Sequence, residues 1–361
     1  MKLNLKKRFF SCCEHELLTN GSLKVTAFKY STGVEALRVE NSKGHFVVLP
    51  FKGQQIWDFH FEGRDLTMHT TVKQPHPSEE LLRSYGGFIY HCGVLACGVP
   101  QADDNHPHHG ELHNITYTNA HIICDEDEKG KYIAVGGELE NNVAFNHHYV
   151  FSPQVRLYEN DTKITLTISL ENKRNTPMEY MYLCHINYKP MDGAELIYSA
   201  PYDKDHVIVH KIISPSVSKD KADTLMAYMD AVQENPALHH KVGSPDAKFD
   251  PEICMTLKYK ADENGRAYTM QYKKGEGACY VDHPLNDLPL STRWISRTDN
   301  EDAMGMVLPA TSEHLGRSYA QRKGTMKVLG AHEKTVFSIE TGWMKDSDAK
   351  QLAEKIEKIN G

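Results

Sequence analysis

The chain has 361 residues, a formal net charge of −7 at pH 7 and 25% charged residues. Acidic and basic residues are interspersed without a basic stripe, which argues against a nucleic-acid partner, and no apolar run is long enough to span a membrane. Hydrophobic residues at 40% and aromatic residues at 9% suit a folded globular chain, long enough for one large β-domain or for two domains.

The N-terminus, MKLNLKKRFFSCCEHE, is basic and briefly apolar, without the apolar core and small-residue cleavage site of a signal peptide. Cys12, Cys13, Cys92, Cys97, Cys124, Cys184, Cys254 and Cys279 are irregularly spaced and form no C-x-x-C pair. The expectation is a cytoplasmic protein with free thiols and no structural zinc.

Period-two patterning dominates in chain order. Lys43-Gly44, Lys129-Gly130 and Asn160-Asp161 sit between apolar-rich runs and mark turns. Pro77 to Leu82 reads as a short helix. Ile164, Leu166, Ile168 and Leu170 alternate with Thr165, Thr167 and Ser169, the signature of a half-buried strand. Lys219 to Asn235 reads as a helix stopped by Pro236. Ile253, Met255, Leu257 and Tyr259 form another alternating run. Asn264-Gly265 then predicts a hairpin with Arg266 to Lys273, because this dipeptide supplies the positive φ of tight turns. Val328–Leu329 and Thr335–Trp343 read as a final strand pair. Leu352, Ile356 and Ile359 mark a closing helix at about 346–360, with Asp346 or Ser347 as its cap. No β–α alternation is present, so the chain reads as all-β, mainly antiparallel, with two packed sheets and a few peripheral helices.

Three polar blocks stand out. In Arg83 to Asn114, His106, His108, His109 and His113 crowd between Pro and Gly residues. They read either as loop histidines satisfied by backbone groups or as ligands of a metal-dependent sugar isomerase, though Pro107 and Gly110 make a continuous helix there poor. In Cys184-His185-Ile186-Asn187, a strand would point His185 and Asn187 to one face. The block from Arg293-Trp294 to Arg317 combines a stacking face with charged donors. No G-x-S-x-G elbow, P-loop or dinucleotide-binding glycine pattern supports hydrolase, kinase or dehydrogenase chemistry.

The blocks together resemble the galactose mutarotase-like, or aldose 1-epimerase, superfamily, in its less characterised branch once known only as a domain of unknown function. The likeness runs from about Val48 to Met344. Leu49-Pro50-Phe51-Lys52-Gly53-Gln54-Gln55-Ile56 is similar to the family's early strand, and His109-Gly110 to its His-Gly motif. Arg83, 26 residues before His109, resembles the substrate-binding arginine. His185 resembles the second active-site histidine, and Phe249 to Ile253 the segment with the sugar-binding aspartate, here Asp250. Gly330-Ala331-His332-Glu333 is similar to the turn before the last strand. One departure stands out: Leu308 occupies the place of the family's catalytic glutamate.

The resemblance implies a large galactose mutarotase-like β-supersandwich spanning 1–361 as a single domain. It implies an isomerase, aldose 1-epimerase-like, that interconverts anomers or epimers of a small-molecule sugar or sugar derivative by acid–base catalysis, without a cofactor. His185 is then the acid at the ring oxygen and His109 orients the substrate or shares the proton. Glu313 or Glu340 stands in as base. Arg83, Asn187, Asp250, Arg293 and Trp294 bind substrate, and an acidic sugar stays open through Arg83, Arg293 and Arg317. The alternatives are a non-catalytic carbohydrate-binding protein on the same fold and the metal-dependent isomerase.

Overall fold

The computed structural model of the protein describes residues 1–213, 217–244, 246 and 248–361. Nearly all of its regular structure is antiparallel β-strand, gathered into sheets of nine and thirteen strands. Helices lie at Lys219–Glu234, Arg317–Lys323 and Asp346–Asn360. None is long and apolar enough among the described residues to cross a membrane.

The strand Lys163–Asn172 shows why the nine-stranded sheet forms. Its Ile and Leu residues are buried at every second position while Thr and Ser stay half-exposed, so one register alone buries the apolar set. It pairs with His147–Tyr158 on one side and Lys334–Met344 on the other. In the thirteen-stranded sheet, Met178–Ile186 lies between Ile89–Val94 and Asp302–Ala310.

The core between the sheets is rich in aromatic rings. Phe59 stacks on Phe88 with centroids 4.5 Å apart, and Phe88 meets Tyr188 edge-on at 4.8 Å. Tyr188 is fully buried. Its hydroxyl lies 2.7 Å from Thr341 Oγ1, and Thr341 donates onward to Tyr280 O at 2.8 Å. One phenol thus ties the segment after Met178–Ile186 to the opposite sheet, with its polar atom satisfied.

The turns at Lys43-Gly44, Lys129-Gly130 and Asn160-Asp161 each join strands that pair with one another. Two other pairings differ from expectation. Gly265 does adopt φ +74° and the chain does reverse there. However, Phe249–Leu257 pairs with Val207–His210 and Leu290–Arg297 in the larger sheet, while Arg266–Lys273 pairs with Glu195–Tyr198 and Gly277–Pro284 in the smaller one. The turn fixes a local reversal, and the chain crosses between sheets just before it. Likewise Lys327–Leu329 pairs with Met178–Ile186, whereas Lys334–Met344 pairs elsewhere.

Helix limits also shift. The stretch at 77–82 gives only a single 3-10 turn at Leu81–Ser84. The closing helix has Lys345 at its cap position and Asp346 as its first residue. The Asp346 carboxylate instead accepts from Tyr272 Oη, Gly275 N and Lys350 Nζ, which fastens the helix to the smaller sheet's outer face.

Candidate active site

A cavity of about 630 Å³ opens on one face of the larger sheet. Strand alternation builds its walls. Leu183 and His185 reach it from Met178–Ile186, Asp250, Glu252 and Cys254 from Phe249–Leu257, and Thr292, Trp294 and Ser296 from Leu290–Arg297. Between them Cys184, Ile253 and Ile295 point to the interior, while Pro251, at an irregularity of its strand, also lines the cavity.

His109 enters from the loop side on a turn with φ +61°, a conformation that few non-glycine residues adopt. The turn is pinned by His109 N donating to Gly98 O at 2.9 Å and Gly93 N donating to His109 O at 3.1 Å. Gly110 follows with φ +77°, and a Cβ there would lie 2.1 Å from Ala96 O. The His-Gly pair is therefore a backbone requirement as well as a chemical one.

The rings form one cluster. His109 and His185 meet edge-to-face with centroids 5.4 Å apart. Trp294 and Tyr85 flank His185 at 5.2 and 5.7 Å, and His108 lies 4.5 Å from His109. His314 completes the wall, 3.2 Å from the Thr292 hydroxyl through Nδ1. Burial among these rings disfavours the charged form. It holds His185 and His314 down to about 4 and about 3 respectively, and His109 well below the usual imidazole range.

Asn187 lies behind His185. Its Nδ2 donates to Gly87 O at 3.1 Å, so Oδ1 faces His185 Nδ1 at 2.6 Å. The imidazole must therefore carry its hydrogen on Nδ1, leaving a lone pair on Nε2. The Tyr85 hydroxyl is 3.1 Å from that Nε2. His109 has the complementary problem: its Nδ1 is buried without a partner. A hydrogen on its Nε2 avoids a buried, unpaired donor.

The candidate carboxylates separate. Glu252 lines the cavity and accepts from Trp294 Nε1 at 2.5 Å. Asp250 also lines it, paired with Lys221. Glu313 does not line the cavity; it accepts from the Thr325 hydroxyl at 3.1 Å. Glu340 lies in the other sheet, between the Tyr280 hydroxyl and Lys163. Neither faces the paired imidazoles. Leu308, at the place of the expected glutamate, does line the cavity and is 1% exposed.

The arginines also lie elsewhere. Arg83 is exposed and pairs with Glu80 at 2.7 Å, while Leu81 and Leu82 on the same turn reach the cavity. Arg293 points to the opposite face of its strand, into the core, where its ring neighbour is Tyr198. Arg317 pairs with Glu179 at 2.6 Å beside a second, polar cleft.

The crowded histidines disperse as well. His106 lies 3.5 Å from Asp104, and His113 is buried with Nε2 3.1 Å from His108 O. Among the described residues, no three His, Cys, Asp or Glu side chains converge as a metal ion needs. The sequence does not mark Tyr85, Glu252 or His314 as site residues, and it offers His108 only as a loop histidine or a metal ligand. The signal for Glu252 was present in Asp250-x-Glu252-x-Cys254, whose members share one strand face.

The two-sheet architecture and the placement of this cavity define a galactose mutarotase-like β-sandwich fold. Residues 31–199 match the model of a family described as a domain of unknown function, DUF4432. Among solved structures, a provisionally named aldose 1-epimerase from Klebsiella pneumoniae superposes with a TM-score of 0.78 at 15% identity, over 96% of this chain and 92% of that one. A galactose mutarotase-like protein from Clostridium acetobutylicum gives 0.57 at 13% identity, over 90% and 100% of the two chains. A provisionally named aldose 1-epimerase from Escherichia coli K12 gives 0.52 at 11% identity, over 92% and 99%. No curated protein matches the sequence.

Proposed function

We propose that the protein is a cytoplasmic isomerase of the aldose 1-epimerase type, acting on an uncharged sugar by imidazole acid–base catalysis. The observation that carries this reading is the complementary pair His185 and His109, 5.4 Å apart on the cavity wall. One offers a lone pair, the other an N–H.

In place of the acid implied by the resemblance, His185 is read as the base. Its Nε2 takes the proton of the anomeric hydroxyl. The C1–ring-oxygen bond breaks as the C1 carbonyl forms, and the bond's electron pair moves to the ring oxygen. The neutral His109 N–H hydrogen-bonds that oxygen as its charge develops, a role suited to an imidazole kept unprotonated. The proton on His185 then passes to the open chain. Rotation about C1–C2 and reversal of the steps give the other anomer, and no group is consumed. Glu252 lies on the same wall to hold a sugar hydroxyl and to balance the transient imidazolium. Trp294 offers its face to the sugar's apolar side.

Four carboxylates, Asp250, Glu252, Asp299 and Glu301, line the cavity against one ammonium, Lys221. That balance disfavours phosphorylated and acidic sugars. All eight cysteines are free, which supports a reducing compartment.

The test is polarimetric equilibration of freshly dissolved anomers over a panel of neutral aldoses. Acceleration that falls by about 100-fold or more in His185→Ala is expected. Unchanged equilibration across the whole panel overturns catalysis. Leu308 at the expected glutamate position favours the second reading, a carbohydrate-binding protein. That reading predicts saturable sugar binding by calorimetry with no rate enhancement.

A further inference from the structure

Arg293 is the largest fully buried side chain among the described residues, at 1% exposure. It reaches from the larger sheet across the interior to the Tyr198 ring of the smaller one, with its guanidinium carbon 4.3 Å from the centroid. Its Nε donates to Met306 O at 3.0 Å. Both terminal nitrogens, Nη1 and Nη2, are buried without any hydrogen-bond partner. Arginine keeps its charge in proteins, and a buried guanidinium without an acceptor is severely penalised. The Tyr198 face offsets only part of that cost.

A second unsatisfied donor lies in the same neighbourhood. His239 is 3% exposed, with Nδ1 2.7 Å from the Tyr228 hydroxyl. Its Nε2 is buried and unpartnered, and it is a donor when the phenol gives its hydrogen to Nδ1. The Tyr198 ring beneath the guanidinium packs on Tyr259 at 6.3 Å and on His240, the residue next to His239, at 5.7 Å. Two hydroxyls lie beside the guanidinium, Tyr198 3.2 Å from His240 and Tyr259 bonded to Thr269, but neither accepts from Nη1 or Nη2 in hydrogen-bond geometry. The surplus is of donors and positive charge, and the missing partner is an acceptor.

We propose that a small inorganic anion of halide size binds between the two sheets, held by Arg293 Nη1 and Nη2 and by His239 Nε2. The site is separate from the sugar cavity. Thr292 and Trp294 point to that cavity, and Arg293, between them in the strand, points away. The anion neutralises the one buried guanidinium among the described residues that lacks a carboxylate, and it fastens the sheets together from inside.

The experiment is crystallisation of the full chain from bromide, with data collected at the bromine absorption edge. An anomalous peak within hydrogen-bond reach of the Arg293 guanidinium is expected. Its absence, with water or nothing in that place, overturns the proposal. Melting in chloride, in bromide and in gluconate at equal ionic strength gives a second reading. The wild-type chain should melt about 2–4 °C higher in the halides, and this difference should vanish in Arg293→Met. Equal wild-type melting in all three salts counts against the site. If Arg293→Met does not fold, the bromide peak decides alone.

Discussion

Asn187 determines which nitrogen of His185 carries the hydrogen. With Oδ1 2.6 Å from Nδ1, the amide fixes the imidazole tautomer and leaves the lone pair on Nε2, beside the Tyr85 hydroxyl. Replacing it by leucine should lower kcat by about 10–100-fold while changing KM much less, since the ring stays in place but loses its orientation. Replacing it by aspartate should act differently. A carboxylate beside the imidazole favours the charged form, so the acid limb of kcat/KM should rise from near pH 4 toward the usual imidazole range. Steady-state kinetics across pH on both variants tests this, and unchanged profiles in both would count against the assigned tautomer.

Glu252 is the cavity carboxylate held by the Trp294 indole. Glu252→Gln keeps the shape and removes the charge, and should cost about 10-fold or more in kcat/KM. Glu313→Gln and Glu340→Gln should remain within about twofold of wild type, because neither residue lines the cavity. The reverse ranking would restore the base to the C-terminal segment.

Arg83→Ala should leave KM within about twofold of wild type, since its guanidinium lies in solvent beside Glu80. Trp294→Ala should raise KM by about 10-fold or more by removing the aromatic face. A large KM effect at Arg83 would require the 3-10 turn at Leu81–Ser84 to rearrange around the sugar.

Stability should fall in mild acid. His91, His113, His185 and His240 are held down to about 4, and His283 and His314 to about 3, chiefly by burial. In the unfolded chain each titrates near 6.5, so between these values the unfolded state binds more protons. The stability these neutral rings contribute is complete above about pH 6.5 and is lost progressively as pH falls toward about 4. Melting temperatures measured from pH 8 to pH 4 should decline most steeply below about 6.5. A flat profile there would contradict the burial of these rings.

Tyr188→Phe removes a hydroxyl that bonds across the two sheets. It leaves Thr341 with a lost partner in the buried core, at a cost of about 1–2 kcal/mol. The urea midpoint should drop with an unchanged slope.

The strands were legible where the code is local. Ile164 to Leu170 alternates because one face is buried, and the Lys43-Gly44, Lys129-Gly130 and Asn160-Asp161 turns join neighbours in one sheet. The Asn264-Gly265 turn is just as clear locally, yet its flanking strands part to different sheets, because turn chemistry does not specify lateral partners. The site divides in the same way. His109 and His185 emerged from the order of blocks along the chain. Glu252 stayed hidden because D-x-E on a strand is informative only once its facing side is known. Arg83 was misplaced because successive residues of a 3-10 turn point about 120° apart, so its neighbours Leu81 and Leu82 reach the cavity while it does not.

The strand Leu290–Arg297 carries one further consequence. It is paired out of step with Asp302–Ala310, which contributes one extra residue opposite Arg293, between the Thr292–Leu308 and Trp294–Gly305 pairs. Sliding the strand by a single position would exchange its two faces. The indole would pass into the interior and the guanidinium into the cavity, giving a pocket suited to anionic sugars. A one-residue insertion or deletion in Leu290–Arg297 ahead of Thr292 is thus the shortest change that would carry Arg293 to the cavity face and Trp294 to the core.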